Sequence, residues 1–250
     1  MARLTGITVL ATGADTDLGR TTVRRLVAED ASVVAGASVG TSGGELDALA
    51  DELGPRVTVV PLDVTDADSW AEATARAQGE HGELHGLVNS ASSLRTGSIT
   101  DMDPTVLQSM IDVNLVGPAL GIRTVAPVMR QAGGGAIVNI ASTEALRGAR
   151  NAAIFAATNW GLRGLTRSAA LELGAHGIRV NTVCPSIGLM SSGSVEADAV
   201  EAAAGEQLLD GATPRTVTMG DVAAMVAFLL SDDSATCTGG DFLVDAGATA

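Results

Sequence analysis

Two proton-transferring side-chain types are missing from this chain of 250 residues, which contains no tyrosine and no lysine. His81, His85 and His176 are scattered over predicted helix ends and loops, where exposed polar roles are expected. No grouping of His, Cys, Asp and Glu has metal-ligand spacing, and no Gly-x-Ser-x-Gly elbow points to a hydrolase triad. The most organised polar stretch is Thr12-Gly13-Ala14-Asp15-Thr16-Asp17-Leu18-Gly19, between an apolar run and a helical pattern. A turn of this kind can aim backbone N–H groups and a helix N-terminus at an anion. Asp17 puts a carboxylate where that anion would approach, although an Asp here also suits a helix cap. Two unit charges about 5 Å apart repel by about 1 kcal/mol in water and roughly 3 kcal/mol at an effective dielectric near 20. Either role leaves the anion site spoiled.

The elements that must hold these residues alternate along the chain. Strands are predicted over 6–11, 32–35, 56–61, 86–89, 136–141, 179–183 and 241–244. Helical patterns lie near 18–29, 43–53, 66–79, 104–131, 151–173 and 220–231. Strands separated by helices of such length imply right-handed βαβ crossovers and a parallel sheet covered on both faces. No linker or composition break divides the chain, so residues 1–250 are expected to form one domain. The stretch 187–218 is the least regular, and in such folds it would lie over the ligand crevice as a lid.

The hydrophobic fraction of 46% with only 2% aromatic residues implies an aliphatic core. The net charge of −14 argues against nucleic acid or an anionic membrane as partner. All fifteen cationic side chains are Arg, which fits codon bias in a GC-rich genome. Cys184 and Cys237 do not make a disulfide framework, and a reducing compartment is the easier fit. The first residues run straight into a strand pattern without a leader signature, and no window approaches about eighteen unbroken apolar residues. Cytoplasm is the expected location.

Beyond these patterns, nearly the whole chain resembles the short-chain dehydrogenases and reductases. The resemblance implies a doubly wound, Rossmann-type α/β fold with seven parallel strands. Thr12, Gly13 and Gly19 match the family's Thr-Gly-x-x-x-Gly-x-Gly loop, with Asp17 in place of the middle glycine. At the end of the second strand Ala37 stands at the ribose position, so neither an acid for NAD nor a nearby Arg for NADP is present. Asp63-Val64 matches the adenine-contacting pair. Asn89-Ser90-Ala91-Ser92 is a worn form of Asn-Asn-Ala-Gly. Pro185-Ser186 replaces Pro-Gly, and Met190 stands where a Thr usually holds the nicotinamide carboxamide.

The catalytic segment resembles the hydroxysteroid dehydrogenase branch. Asn139-Ile140-Ala141-Ser142 looks like the strand that ends in the catalytic serine, and Asn114 looks like the structural and proton-relay asparagine. Ser142 and Asn114 each also have a purely structural reading, satisfying backbone groups. Thirteen residues past Ser142, where the tyrosine belongs, stands Phe155, and four further on, at the lysine position, stands Asn159. Trp160-Gly161-Leu162-Arg163-Gly164-Leu165-Thr166 restores the match, so register is secure on both sides. Phe155 has no proton to give and Asn159 no charge to lend, while general acid catalysis commonly supplies about 10² to 10⁴ in rate. The two are expected side by side, facing Ser142 across the crevice. Glu144, with Arg147 and Arg150 behind it, is the nearest acid and is expected to be a solvated loop carboxylate.

Three readings follow. The substitutions favour a family member whose hydride-transfer apparatus is degenerate: a partner subunit, a scaffold or a binder of an apolar small molecule. NAD(P) would then bind weakly if at all. Association surfaces resembling the family's, at residues 241–245 and around Gly161 and Gly164, imply a homotetramer or a hetero-oligomer with an active relative. The second reading is a cofactor-independent lyase, isomerase or cyclase in the old crevice. The third is an NAD(P)-dependent oxidoreductase that takes its proton from water, Ser142 or the substrate.

Overall fold

The computed structural model describes residues 2–40, 44–186 and 216–250. Seven strands form one parallel sheet: β1 (Thr8–Ala11), β2 (Ser32–Ala37), β3 (Val57–Pro61), β4 (Gly86–Asn89), β5 (Gly135–Ile140), β6 (Ile178–Pro185) and β7 (Asp241–Val244). They lie in the order β3-β2-β1-β4-β5-β6-β7, every pair parallel. The described helices are α1 (Asp17–Ala28), α2 (Glu45–Leu53), α3 (Ala67–His81), α4 (Pro104–Ile111), α5 (Gly117–Gln131), α6 (Ala153–Leu173) and α7 (Met219–Leu230).

Strand residues alternate between two aliphatic layers, as a period of two requires. Val9, Val33 and Val138 pack with Leu26 of α1, Leu49 of α2 and Val226 of α7. Their neighbours Leu10, Val34 and Ile137 face the other way, against Trp70 of α3, Val125 of α5 and Ala170 of α6. Helices therefore cover both faces. Strand order reverses between β1 and β4, which in an open α/β sheet sets a crevice at the strand carboxyl ends.

The structure corrects one of the sequence expectations here, the cap of α1. The helix over 104–131 runs from Pro104 to Gln131 as expected, with a π-helical turn at Asp112–Val116 between its α4 and α5 parts. The composite Pro104–Gln131 is long and apolar enough to cross a bilayer by length and composition. It serves instead as a crossover on the sheet, burying Ile122, Val125 and Met129. Helix α1 is capped by Thr16, whose hydroxyl accepts from Gly19 N–H; Asp17 is the first helical residue, not the cap. Ser and Thr reach back to the N3 amide readily, and the first turn then suits an acid. The expected lid falls almost wholly on residues 187–215, outside the described residues.

Candidate functional site

The crevice is built where β1 and β4 end side by side. Thr12 Oγ1 accepts from Ser90 N–H and Ala91 N–H at 3.0 Å each, tying the two turns together. Gly13 has a φ of +66°, and a Cβ there would lie 2.8 Å from Ala91 N. A Cβ on Gly19 would lie 2.0 Å from the Gly13 carbonyl oxygen. Packing alone thus demands both retained glycines. Asp17, at the position the turn leaves open, pairs with Arg20, which also reaches Glu45 at 2.7 Å.

Other cofactor-facing positions are committed to the scaffold. Ala37 is buried at the end of β2, and its carbonyl accepts from Leu62 N–H at 2.7 Å. Asp63 folds its carboxylate onto Thr65, accepting from the amide at 2.8 Å and the hydroxyl at 2.7 Å. The Val64 carbonyl takes the buried Trp70 indole N–H at 2.9 Å. Pro185 ends β6 opposite Val244. Met190 lies outside the described residues.

Asn89 donates to Asn139 Oδ1 at 2.8 Å, and Asn139 donates to Thr166 Oγ1 at 2.8 Å. Thr182 donates its hydroxyl to the same Thr166 at 2.9 Å. This buried chain joins β4, β5, α6 and β6. Sequence reading noted Asn89 but not the network; its signal was a lone Asn139 inside an apolar strand. Asn114, in the π-turn, accepts from Ser93 N–H at 2.7 Å and donates to the Ser93 carbonyl at 2.8 Å. It therefore clamps the loop after β4.

The catalytic positions are brought together only in part. Phe155 is fully buried with Leu94, Met110 and Ala152. One turn on, Asn159 is 4% exposed and donates its amide to the Phe155 carbonyl at 2.7 Å. The two are helical neighbours as expected, but Phe155 packs into an apolar cluster and Asn159 turns back on its own helix. Ser142, beyond the end of β5, donates to Glu144 Oε2 at 2.7 Å, and Thr143 donates to the same oxygen at 3.1 Å.

Glu144 is fully buried, which overturns the solvated-loop expectation. The 3-10 turn Thr143–Ala145 packs it inward against α6, and two adjacent hydroxyls take the place of water. The adjacent hydroxyls of Ser142 and Thr143 were the signal in the sequence. Arg147 approaches Glu144 Oε1 at 3.6 Å. Two histidines are also less exposed than expected: His85 Nδ1 accepts from Thr8 N–H at 3.2 Å, and His81 Nε2 lies 3.1 Å from Thr58 Oγ1.

Cys184, inside β6, is buried, and desolvation together with the nearby Asp241 carboxylate pushes its thiol up to about 12. Among the described residues, no group of three or more His, Cys, Asp or Glu is placed to hold a metal ion.

A parallel sheet of this order, with helices on both faces and a glycine turn after β1, defines a Rossmann-type α/β protein. Within that class, the chain belongs to the short-chain dehydrogenase/reductase family. Residues 13–249 match the family described as enoyl-(acyl carrier protein) reductase. The 3-alpha-(or 20-beta)-hydroxysteroid dehydrogenase of Mycobacterium tuberculosis is 40% identical over 248 residues, covering 99% of this chain and 91% of that protein. Levodione reductase of Leifsonia aquatica is 32% identical over 257 residues, covering 99% and 96%. A crystal structure of levodione reductase has a TM-score of 0.88 at 29% identity, covering 98% of each chain. Proteins of this family usually take NAD(P) and are commonly oligomeric.

Proposed function

We propose that residues 1–250 form one domain whose hydride-transfer apparatus is degenerate, serving as partner subunit, scaffold or binder of an apolar small molecule. The observation that carries this is the environment of Phe155. A residue in the tyrosine position is sealed among Leu94, Met110 and Ala152, and Asn159 spends its amide on the Phe155 carbonyl. Neither can supply a proton, and no tyrosine or lysine exists elsewhere in the chain to replace them.

The residues present also fit a dinucleotide poorly. Asp17 sets a carboxylate beside the phosphate position, and Arg20 offsets only part of its charge. Ala37 offers a ribose no side-chain partner. NAD(P) is therefore expected to bind weakly if at all. The relatives named for hydroxysteroid and levodione chemistry support an apolar, ring-containing ligand.

Association as a homotetramer, or with an active relative, is supported by β7 at the sheet edge and by exposed Trp160, Leu171 and Leu243. The unpaired Cys184 and Cys237 support a reducing location such as the cytoplasm.

The test is calorimetric titration with NAD(H) and NADP(H), with absorbance at the nicotinamide band recorded over a panel of cyclic alcohols and ketones. Weak or absent binding without turnover is expected. Micromolar affinity with turnover would overturn the reading and favour a dehydrogenase with a different proton source.

A further inference from the structure

The turn after β1 lies beside a local excess of negative charge. Asp17, the first residue of α1, leaves its carboxylate half exposed and paired with Arg20. The same guanidinium reaches Glu45 of α2 at 2.7 Å and donates to the Asp15 carbonyl at 2.5 Å. Arg20 is thus divided between two carboxylates and tied to the backbone of the turn, so it is not free to meet a phosphate. One turn further along α1, Arg24 is taken by Glu52. Asp17, Arg20, Arg24, Glu45 and Glu52 line one groove of about 370 Å³ between α1 and α2, three carboxylates to two guanidiniums.

The helix end offsets little of this. A helix N-terminus favours anions through its dipole and its free amides. Here the Thr16 hydroxyl already accepts from Gly19 N–H at 3.0 Å, which removes one of those amides. The whole chain adds a net charge of −14. An anion therefore approaches the turn against both a local and a global negative field. The charges beside the turn face solvent: the Glu45 side chain is 77% exposed and that of Asp17 52%. Dissolved salt screens such charges, over about 10 Å at about 0.1 M and about 3 Å at about 1 M.

Resting on the reading of a degenerate dinucleotide site, we infer that ionic strength regulates that site, with salt strengthening the binding of phosphate-bearing nucleotides. The usual dependence is the reverse, because an anion held by positive charge loosens as salt screens the attraction. Asp17 sets the sign, and Glu45 reinforces it by drawing Arg20 away.

The experiment titrates NADH, NADPH and adenosine into the full chain by calorimetry, at about 0.05 M and about 1 M sodium chloride. NADH should bind about tenfold more tightly at the higher salt, and NADPH, with its additional phosphate, should gain more. Adenosine carries no charge and reports any effect of salt on apolar contacts; it should change by less than about twofold. Asp17→Asn and Glu45→Gln alter exposed side chains. Each should tighten NADH binding at the lower salt and shrink the gain.

NADH affinity that stays level or falls as salt rises overturns the inference, as does an equal gain for adenosine. A gain that survives intact in both folded variants overturns the assignment to Asp17 and Glu45. Absent binding at both salts would count against the inference alone and leave the proposed function standing. Micromolar binding with turnover at the lower salt would count against the proposed function, and the salt dependence would still decide the inference.

Discussion

Asn159 Nδ2 donates to the Phe155 carbonyl oxygen at 2.7 Å, so the two residues in the tyrosine and lysine positions close on each other one turn apart. The bond stays within α6 and aims nothing at Ser142. Restoring the pair therefore means more than changing two letters. Phe155→Tyr would put a hydroxyl into a site lined by Leu94, Met110 and Ala152. Without a partner it should cost about 1–3 kcal/mol of stability, read as a lower urea midpoint. Phe155→Tyr with Asn159→Lys should still show no robust reductase activity, because cofactor positioning is a separate requirement.

Asp17→Gly with Ala37→Asp should improve NAD binding by about tenfold, equivalent to about 1.4 kcal/mol. Arg20 already offsets part of the Asp17 charge, so the gain should stay below the full unscreened repulsion. Calorimetry measures it. No change in affinity would show that phosphate repulsion is not what limits binding. Joining these two changes to the Phe155 and Asn159 reversions should help activity more than either pair alone.

Gly19→Ala should destabilise the protein whether or not a nucleotide is present. Its Cβ would meet the Gly13 carbonyl oxygen at 2.0 Å, where backbone has to move. A loss of several kcal/mol, about 3 or more, belongs to such overpacking. Thermal unfolding of the variant close to that of the parent would remove the packing explanation for the retained glycines.

Glu29 receives Arg3 at 2.6 Å and Arg25 at 2.8 Å. The Arg3 hydrogen bond, aided by Arg25, lowers its carboxyl from 4.5 to about 2. A depressed carboxyl stabilises the fold fully above the unfolded value and loses that contribution as pH falls through the folded one. Glu29→Gln should therefore be less stable than the parent at pH 7. The gap should narrow between pH about 4.5 and about 2, as followed by urea unfolding at stepped pH. A gap that does not change with pH would exclude the ion pairs as its source.

Native protein should react quickly with a thiol reagent at Cys237 and slowly at Cys184. Cys184 is buried and its thiol is pushed up to about 12, so little thiolate forms near neutrality. Denatured protein should give two equivalents. Fast modification of Cys184 in the native protein would mean that β6 opens far more readily than its buried packing implies.

By itself, the sequence determined the seven-stranded parallel architecture, because apolar runs alternating with amphipathic stretches allow little else. It also determined the loss of the phenol and the ammonium, since a residue type absent from the chain cannot be brought in by folding. Gly13 and Gly19 were legible as a turn, but their cause, contact with Ala91 and with each other, was not.

Only the tertiary structure decided that Thr16 caps α1 and that Asp17 turns to Arg20, because two neighbouring cap formers compete and geometry picks one. Only it placed Glu144 in the interior. A carboxylate beside a strand end reads as solvated until the chain shows two hydroxyls and a helix closing over it. Burial and hydrogen-bond direction belong to residues far apart in sequence, as in Asn89, Asn139, Thr166 and Thr182, and no local pattern encodes who donates to whom.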